Sequence, residues 1–271
     1  MFPFHFWMPD TYGTATPSAS GILSGVISKG YIFLLLKIIF RVIGYEVFLQ
    51  SNIQHILFVF GICGMIVGSV SAIKTNNINF MIAYSSAAQI GYIYMGLGLG
   101  TKGAIVAALF QIVAHSLTKP MLFLSASGLS DTVNRRQDFA SLRSSAHNNK
   151  IAAISYSAGA LSMVGIPIFA GFIPKLLFST SAFGHGIRTY LMLTALAIST
   201  ILNVLYFLRT LVNIYSPAKV ELTRKTITFK TAPAFSIIVL VMSAVNIAVG
   251  LHSQPIISLF EKGLELFINI R

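Results

Sequence analysis

Residues Ile151 to Ala182 read IAAISYSAGALSMVGIPIFAGFIPKLLFSTSA. The run is apolar nearly throughout, but at about 1.5 Å of rise per residue it is too long for one straight helix across a hydrocarbon layer about 30 Å thick. Gly165, Pro167, Gly171 and Pro174 fall in its middle, so it reads as a helix interrupted within the membrane. Lys175 follows the last of these prolines. Backbone freed at that depth is tolerated only against protein or a water-filled cavity.

Six further apolar spans flank this one. They run near Ser18 to Phe40, His55 to Ile73, Phe80 to Leu99 and Ala104 to Gly128 before it, and Thr189 to Asn213 and Ala232 to His252 after it. The predicted fold is an all-α polytopic membrane protein with about seven transmembrane helices, one of them broken. Its single membrane domain, 1–271, divides into a lead-in segment over 1–17, the helices over 18–254 and an amphipathic tail over 255–271. In the tail Ile257, Leu259, Phe260, Leu264 and Phe267 alternate with Glu261, Lys262 and Glu265, as in an interfacial helix.

Composition agrees: 55% of residues are hydrophobic and 10% charged, against about 25% charged in a soluble domain. Cytosolic enzymes, secreted modules and disordered chains are excluded. The lone Cys63 allows no internal disulfide and no cysteine cluster. No Walker A, dinucleotide, zinc or haem-attachment spacing occurs, so no cofactor is assigned to this chain.

The net charge of +12 is explained by topology without nucleic acid. Lys74, Arg135, Arg136, Arg143, Lys150, Lys219, Arg224, Lys225 and Lys230 share the side of the N-terminus, while Arg41, Lys102, Arg188, Lys262 and Arg271 lie opposite. The positive-inside rule places the N-terminus on the cytoplasmic or matrix face.

Five bases remain inside spans. Lys37 and Arg209 lie toward span ends, where long side chains snorkel to the interface. Lys29, Lys119 and Lys175 are deeper, and a charge at bilayer depth costs about 2.5 to 3.5 kcal/mol on insertion scales, which marks an ion or proton pathway. Each is expected beside a backbone irregularity and a wet cavity: Lys29 lies between Gly25 and Gly30, Lys119 precedes Pro120, and Lys175 follows Pro174. Gln111, His115 and Lys119 recur every four residues, giving one helix a polar stripe. A lysine releases its proton when desolvated and regains it when a carboxylate approaches, so moving one partner loads or unloads it. Of the seven acids only Glu46 has apolar surroundings, and the remaining partner carboxylates are expected on another polypeptide.

Four segments resemble the proton-translocating antiporter-like subunits found in respiratory complex I, in energy-converting membrane-bound hydrogenases and in Mrp cation/proton antiporters. They are FPFHFWMPDTYGTATPSASGILSGVISKGYIFLLLK from Phe2 to Lys37, AYSSAAQIG from Ala83 to Gly91, HSLTKPMLFLSA from His115 to Ala126 and GIPIFAGFIPK from Gly165 to Lys175. The resemblance implies one inverted-repeat unit of that fold plus a C-terminal helix. It also implies that Lys29 links two half-channels, that His115 and Lys119 are the central pair, and that Lys175 faces the outlet. Lys37, Gln111 and Glu46 are candidate accessory groups, and Pro120, Gly165, Pro167, Gly171 and Pro174 candidate helix breaks. The family's basic pair before AYSS is replaced by Ile78, Asn79 and Phe80.

The first repeat of the family is absent from this sequence, so the resemblance implies either the C-terminal half of a split subunit, with a companion chain supplying the N-terminal half, or a fragment holding one half-channel; the split subunit is the expectation. The expected function is proton translocation within a redox-driven complex, with no catalysis by this chain alone. Iron-sulfur, flavin or nickel-iron centres are expected only in partner subunits, and any sodium site on other subunits. The alternatives are a free-standing Mrp-type Na⁺/H⁺ antiporter subunit and a non-conducting structural fragment. The expected location is a bacterial or archaeal cell membrane, or the mitochondrial inner membrane.

Overall fold

A computed structural model describes residues 3–218 and 223–268. Phe2, Lys219, Arg271 and the side chain of Phe267, all named above, lie outside the described residues. The described chain is helical, in the order α1 (Trp7–Thr14), α2 (Pro17–Ile43), α3 (Tyr45–Gln50), α4 (Asn52–Lys74), α5 (Ile78–Leu99), α6 (Lys102–Ser130), α7 (Lys150–Val164), α8 (Phe172–Ser181), α9 (Ile187–Tyr215), α10 (Pro233–Leu251) and α11 (Gln254–Ile268).

Five of these, α2, α4, α6, α9 and α10, are long and apolar enough to cross a membrane. α5 has the length, 22 residues, but dilutes its apolar face with Asn79, Ser85, Ser86 and Gln89. α7 and α8 are the two halves of the interrupted helix.

Helix starts follow local chemistry. Asn77 caps α5 by accepting from Asn79 N at 2.9 Å, Thr101 caps α6 through Ala104 N at 3.2 Å, and Asn149 caps α7 through Ala152 N at 3.0 Å. Each satisfies an amide that a helix start leaves free. Glycines set the separation of α4 and α5: a Cβ on Gly91 would stand 2.6 Å from Gly61 O, and one on Gly68 2.6 Å from Ala88 N. Only small residues allow backbones this close, and close backbones replace the hydrophobic drive that lipid does not supply.

α6 is the hub. It packs against α2, α5, α7, α8, α10 and α11, and 72% of its apolar window is buried against 28–44% for the other four spanning helices. A polar stripe on α6 is therefore enclosed by protein rather than by lipid. α11 lays Ile257, Phe260 and Leu264 inward and leaves Glu261, Lys262 and Glu265 exposed.

Two expected breaks are corrected. α6 runs unbroken through Pro120. The ring that should wedge the helix open is seated against α2, where a Cβ on Gly25 would meet Pro120 Cγ at 2.5 Å and one on Gly21 would meet Pro120 Cα at 3.2 Å. The irregularity appears instead in the partner, where α2 widens to π-helix over Leu23–Ile27. Pro174 is the second: it lies in the first turn of α8, where its missing N–H has no partner to lose. Gly165, Pro167 and Gly171 do fall between the half-helices.

Candidate functional site

The break is built by a glycine. Gly165 at φ +90° ends α7 in the left-handed conformation, with Ile166 N donating to Leu161 O and Gly165 N to Ser162 O, each at 3.0 Å. This is a Schellman closure, which satisfies two of the last carbonyls and leaves the next two free. Those of Met163 and Val164 receive Lys175 Nζ, at 3.2 Å and 2.5 Å. The negative end of one half-helix thus meets a cation from the first turn of the other. On the far side Ser162 Oγ accepts from Gly171 N at 3.1 Å, and Asn246 of α10 accepts from Ala170 N at 3.4 Å while donating to Thr118 Oγ1 at 2.8 Å.

Lys119 is fully buried on α6. Its amine reaches α5 within the AYSS segment, donating to Ser85 Oγ at 2.5 Å and Ile82 O at 2.8 Å. A wet cavity was the expectation at this lysine; the structure gives its amine a hydroxyl and a carbonyl instead, because α5 presses its small Ser-Ser pair against the stripe. Gln111 points the same way and donates to Gln89 Oε1 at 2.7 Å. His115 lies between the two, 1% exposed, and neither ring nitrogen has a hydrogen-bond partner among the described residues. Lys29 and Lys119 are the charges that act on it.

Lys29 leaves α2 just past the π-helical segment. Its amine donates to Ser24 O and, at 3.2 Å, to Ser28 Oγ. Ser24 Oγ meets Ser86 Oγ at 3.0 Å, and Ser86 Oγ donates to Ile82 O at 3.0 Å, the carbonyl that Lys119 uses. Lys29 and Lys119 thus flank one line of serines across α2, α5 and α6, Lys29 holding the Ser24 carbonyl rather than its hydroxyl and Lys119 the carbonyl that Ser86 also uses. The amines of Lys29, Lys119 and Lys175 are held by neutral oxygens. The ion pair found among the described residues, Asp131 with Arg135, is at the surface.

Two accessory candidates are placed apart from this line. Lys37 is exposed and lines an apolar groove of about 220 Å³ between α2 and α11, and Glu46 is exposed on α3. Arg209 binds Ile73 O and Asn76 Oδ1, both at 3.0 Å, at the end of α4. Among the described residues no three His, Cys, Asp or Glu stand together as a metal ion would need.

Sequence reading missed the oxygens that hold the lysines, which are those of Ser24, Ser28, Ile82, Ser85, Met163 and Val164. It also passed over α9, whose Ser199, Asn203, Tyr206 and Thr210 are buried. The signal was present there as polar residues four, three and four apart in an otherwise apolar span.

Comparison with known proteins bears on the whole arrangement. Residues 1–203 match the model of the family described as NADH:quinone oxidoreductase/Mrp antiporter, transmembrane. NADH-quinone oxidoreductase subunit N of Desulforudis audaxviator is 31% identical over 217 residues, 79% of this chain and 42% of that protein. Subunit N of Bdellovibrio bacteriovorus is 30% identical over 270 residues, 97% of this chain and 53% of that protein. The chain spans about half the length of these curated relatives. A chain of the Mrp complex from Dietzia sp. DQ12-45-1b has the same fold, with a TM-score of 0.85 at 21% identity, covering 99% of this chain and 56% of that one. With its long apolar helices, this multi-pass integral membrane protein belongs to the NADH:quinone oxidoreductase/Mrp antiporter transmembrane family.

Proposed function

We propose that this chain is a proton-translocating membrane subunit, forming the C-terminal half-channel of a redox-driven complex related to complex I or to the membrane-bound hydrogenases. The observation that carries the reading is the set of three lysines within the spans, Lys29 and Lys119 buried and Lys175 half-buried at the break, with His115 beside the first two and neutral oxygens on every amine. A scaffold could place Leu at each position and avoid the desolvation cost. In this reading Lys29 joins the neighbouring half-channel, His115 and Lys119 hold the central proton, Gln111 orients the stripe, and Lys175 releases to the outlet. Lys37 and Glu46 serve at the rim.

The half-channel works with other membrane subunits. The first half of the family's fold comes from a companion chain or from the remainder of a longer polypeptide. Partner subunits hold the iron-sulfur, flavin or nickel-iron centres, and this chain holds none. Basic loops put the N-terminus inside, in a bacterial or archaeal cell membrane. Relatives named NADH-quinone oxidoreductase subunit N, aligned over up to 97% of the chain, support the redox-driven assignment. The likeness to an Mrp complex keeps a free-standing antiporter as the second reading.

The test is the assembled complex in sealed vesicles. Lys175→Ala is expected to leave assembly intact and to lower coupled proton uptake about a hundredfold, the scale of a lost proton-transfer group. Unchanged uptake overturns the reading. Co-purification of the chain with iron-sulfur or nickel-iron subunits supports the redox-driven complex, and isolation with antiporter subunits alone supports the Mrp type.

A further inference from the structure

The site as described leaves a gap. Lys29 and Lys119 flank the Ser24–Ser86 contact, while Lys175 is bound at the break, on other elements. α9 lies across that gap with a buried polar face. Tyr206 is 1% exposed and Asn203 fully buried, on a helix whose opposite face carries Ile201, Leu205 and Leu208 outward. Buried polar groups are costly in such a span unless they are paired, and these two are paired in a definite order.

From the central lysine, Lys119 Nζ donates to Ser85 Oγ at 2.5 Å. The Tyr206 hydroxyl faces the same Ser85, whose own hydroxyl donates to Ile82 O at 2.8 Å. Tyr206 donates to Asn203 Oδ1 at 2.5 Å. Asn203 Nδ2 donates to Met163 O at 3.5 Å, and Met163 O also accepts from Lys175 Nζ at 3.2 Å. These contacts lead from one lysine toward the other through α5, α9 and the end of α7.

Resting on the half-channel reading above, we propose that Tyr206 is the relay group between Lys119 and Lys175, and that Asn203 is the positioning residue that aims its hydroxyl. Serine and tyrosine hydroxyls each accept and donate through one oxygen, so both can pass a proton on. An amide releases its N–H protons far too reluctantly to do so, and Asn203 therefore orients. Protonated Lys119 gives one proton to Ser85 Oγ, Ser85 gives its own to the Tyr206 oxygen, and the phenol, turned about its C–O bond, releases its proton through one bridging water to the neutral amine of Lys175. Lys119 ends neutral and Lys175 charged, and both hydroxyls keep their proton count. Met163 O, shared by Asn203 and Lys175, ties the aim of the phenol to the occupancy of the outlet lysine.

The experiment uses the complete complex in sealed vesicles. Tyr206→Phe removes one oxygen and keeps the ring, so assembly and thermal stability are expected to hold while proton uptake falls about a hundredfold. Asn203→Ala, which leaves the phenol in place but unaimed, is expected to give a smaller loss together with a shifted pH profile of uptake. The control is Tyr156→Phe. It removes a fully buried phenol of α7 that faces Thr210 rather than the line, and uptake is expected to stay at the unmodified level. Normal uptake by Tyr206→Phe overturns the proposal, and so does an equal loss from Tyr156→Phe, which would trace the effect to packing. Should Tyr206→Phe fail to assemble, Ser85→Ala tests the same relay from its other side, and normal uptake there overturns it. The two readings separate cleanly. If Lys175→Ala stops uptake while Tyr206→Phe spares it, the relay alone fails; if both spare it, the half-channel reading fails.

Discussion

Gly165 carries two constraints at once. Its φ of +90° disfavours any L side chain, and a Cβ there would stand 2.7 Å from Lys175 Cδ. Gly165→Ala therefore strains the closure of α7, by about 1 to 2 kcal/mol for a residue forced left-handed, and pushes the Lys175 stem off its carbonyls. The expected outcome is a lowered midpoint of thermal unfolding for the detergent-solubilised complex, with reduced proton uptake below that midpoint. Gly184, also at positive φ but with nothing near its Cβ position, is the comparison: Gly184→Ala should cost stability and leave uptake unchanged. A Gly165→Ala complex with normal uptake would show that the Lys175 stem has room to adjust.

At the scale of elements, the contact between α2 and α6 decides how a proline can sit in a central helix. The ring of Pro120 occupies the space that Gly25 leaves empty, and the same close approach places Ser116 O 3.2 Å from the Cβ position of Gly25. Gly25→Ala should overpack this crossing and destabilise by about 1 to 3 kcal/mol. Adding Pro120→Ala removes the ring atoms it meets and should recover more than half of that loss, so a double-mutant cycle is expected to show a coupling above 0.5 kcal/mol, about the threshold for residues in contact. Additive effects would mean the π-helical segment of α2 has another cause. The sequence placed Gly25 and Pro120 near lysines, but their contact joins residues far apart in the chain.

For the whole molecule, ion selectivity follows from the kind of groups that line the path. Bilayer-depth sodium sites are assembled from carbonyl and carboxylate oxygens, whereas the ionisable line here consists of the buried Lys29, His115 and Lys119 and the half-buried Lys175, all nitrogen bases. Cations along a path repel Na⁺ and pass H⁺ between neighbouring bases. Lys119→Ala is expected to stop proton movement by the assembled complex. Ion fluxes measured in vesicles at fixed pH check this. Loss of sodium movement with proton movement spared would refute proton selectivity.

Hydropathy, composition and motif spacing were enough to determine the membrane class, the spans to within a few residues, the interruption between Val164 and Phe172 and the family. These are local properties: an apolar run must be helical in lipid because each helix satisfies its own backbone. Which oxygen each lysine meets was decided only by tertiary structure. Lys119 finds Ser85 and Ile82 on α5, Lys175 finds the carbonyls that Gly165 freed, and Tyr206 and Asn203 lie between them. Those pairings depend on how each helix is rotated about its axis and how closely glycines let it approach its neighbour, which periodicity within one helix does not encode. For the same reason Pro120 reads as a break in sequence and becomes a packing element in the fold, where a neighbouring helix supplies the room for its ring.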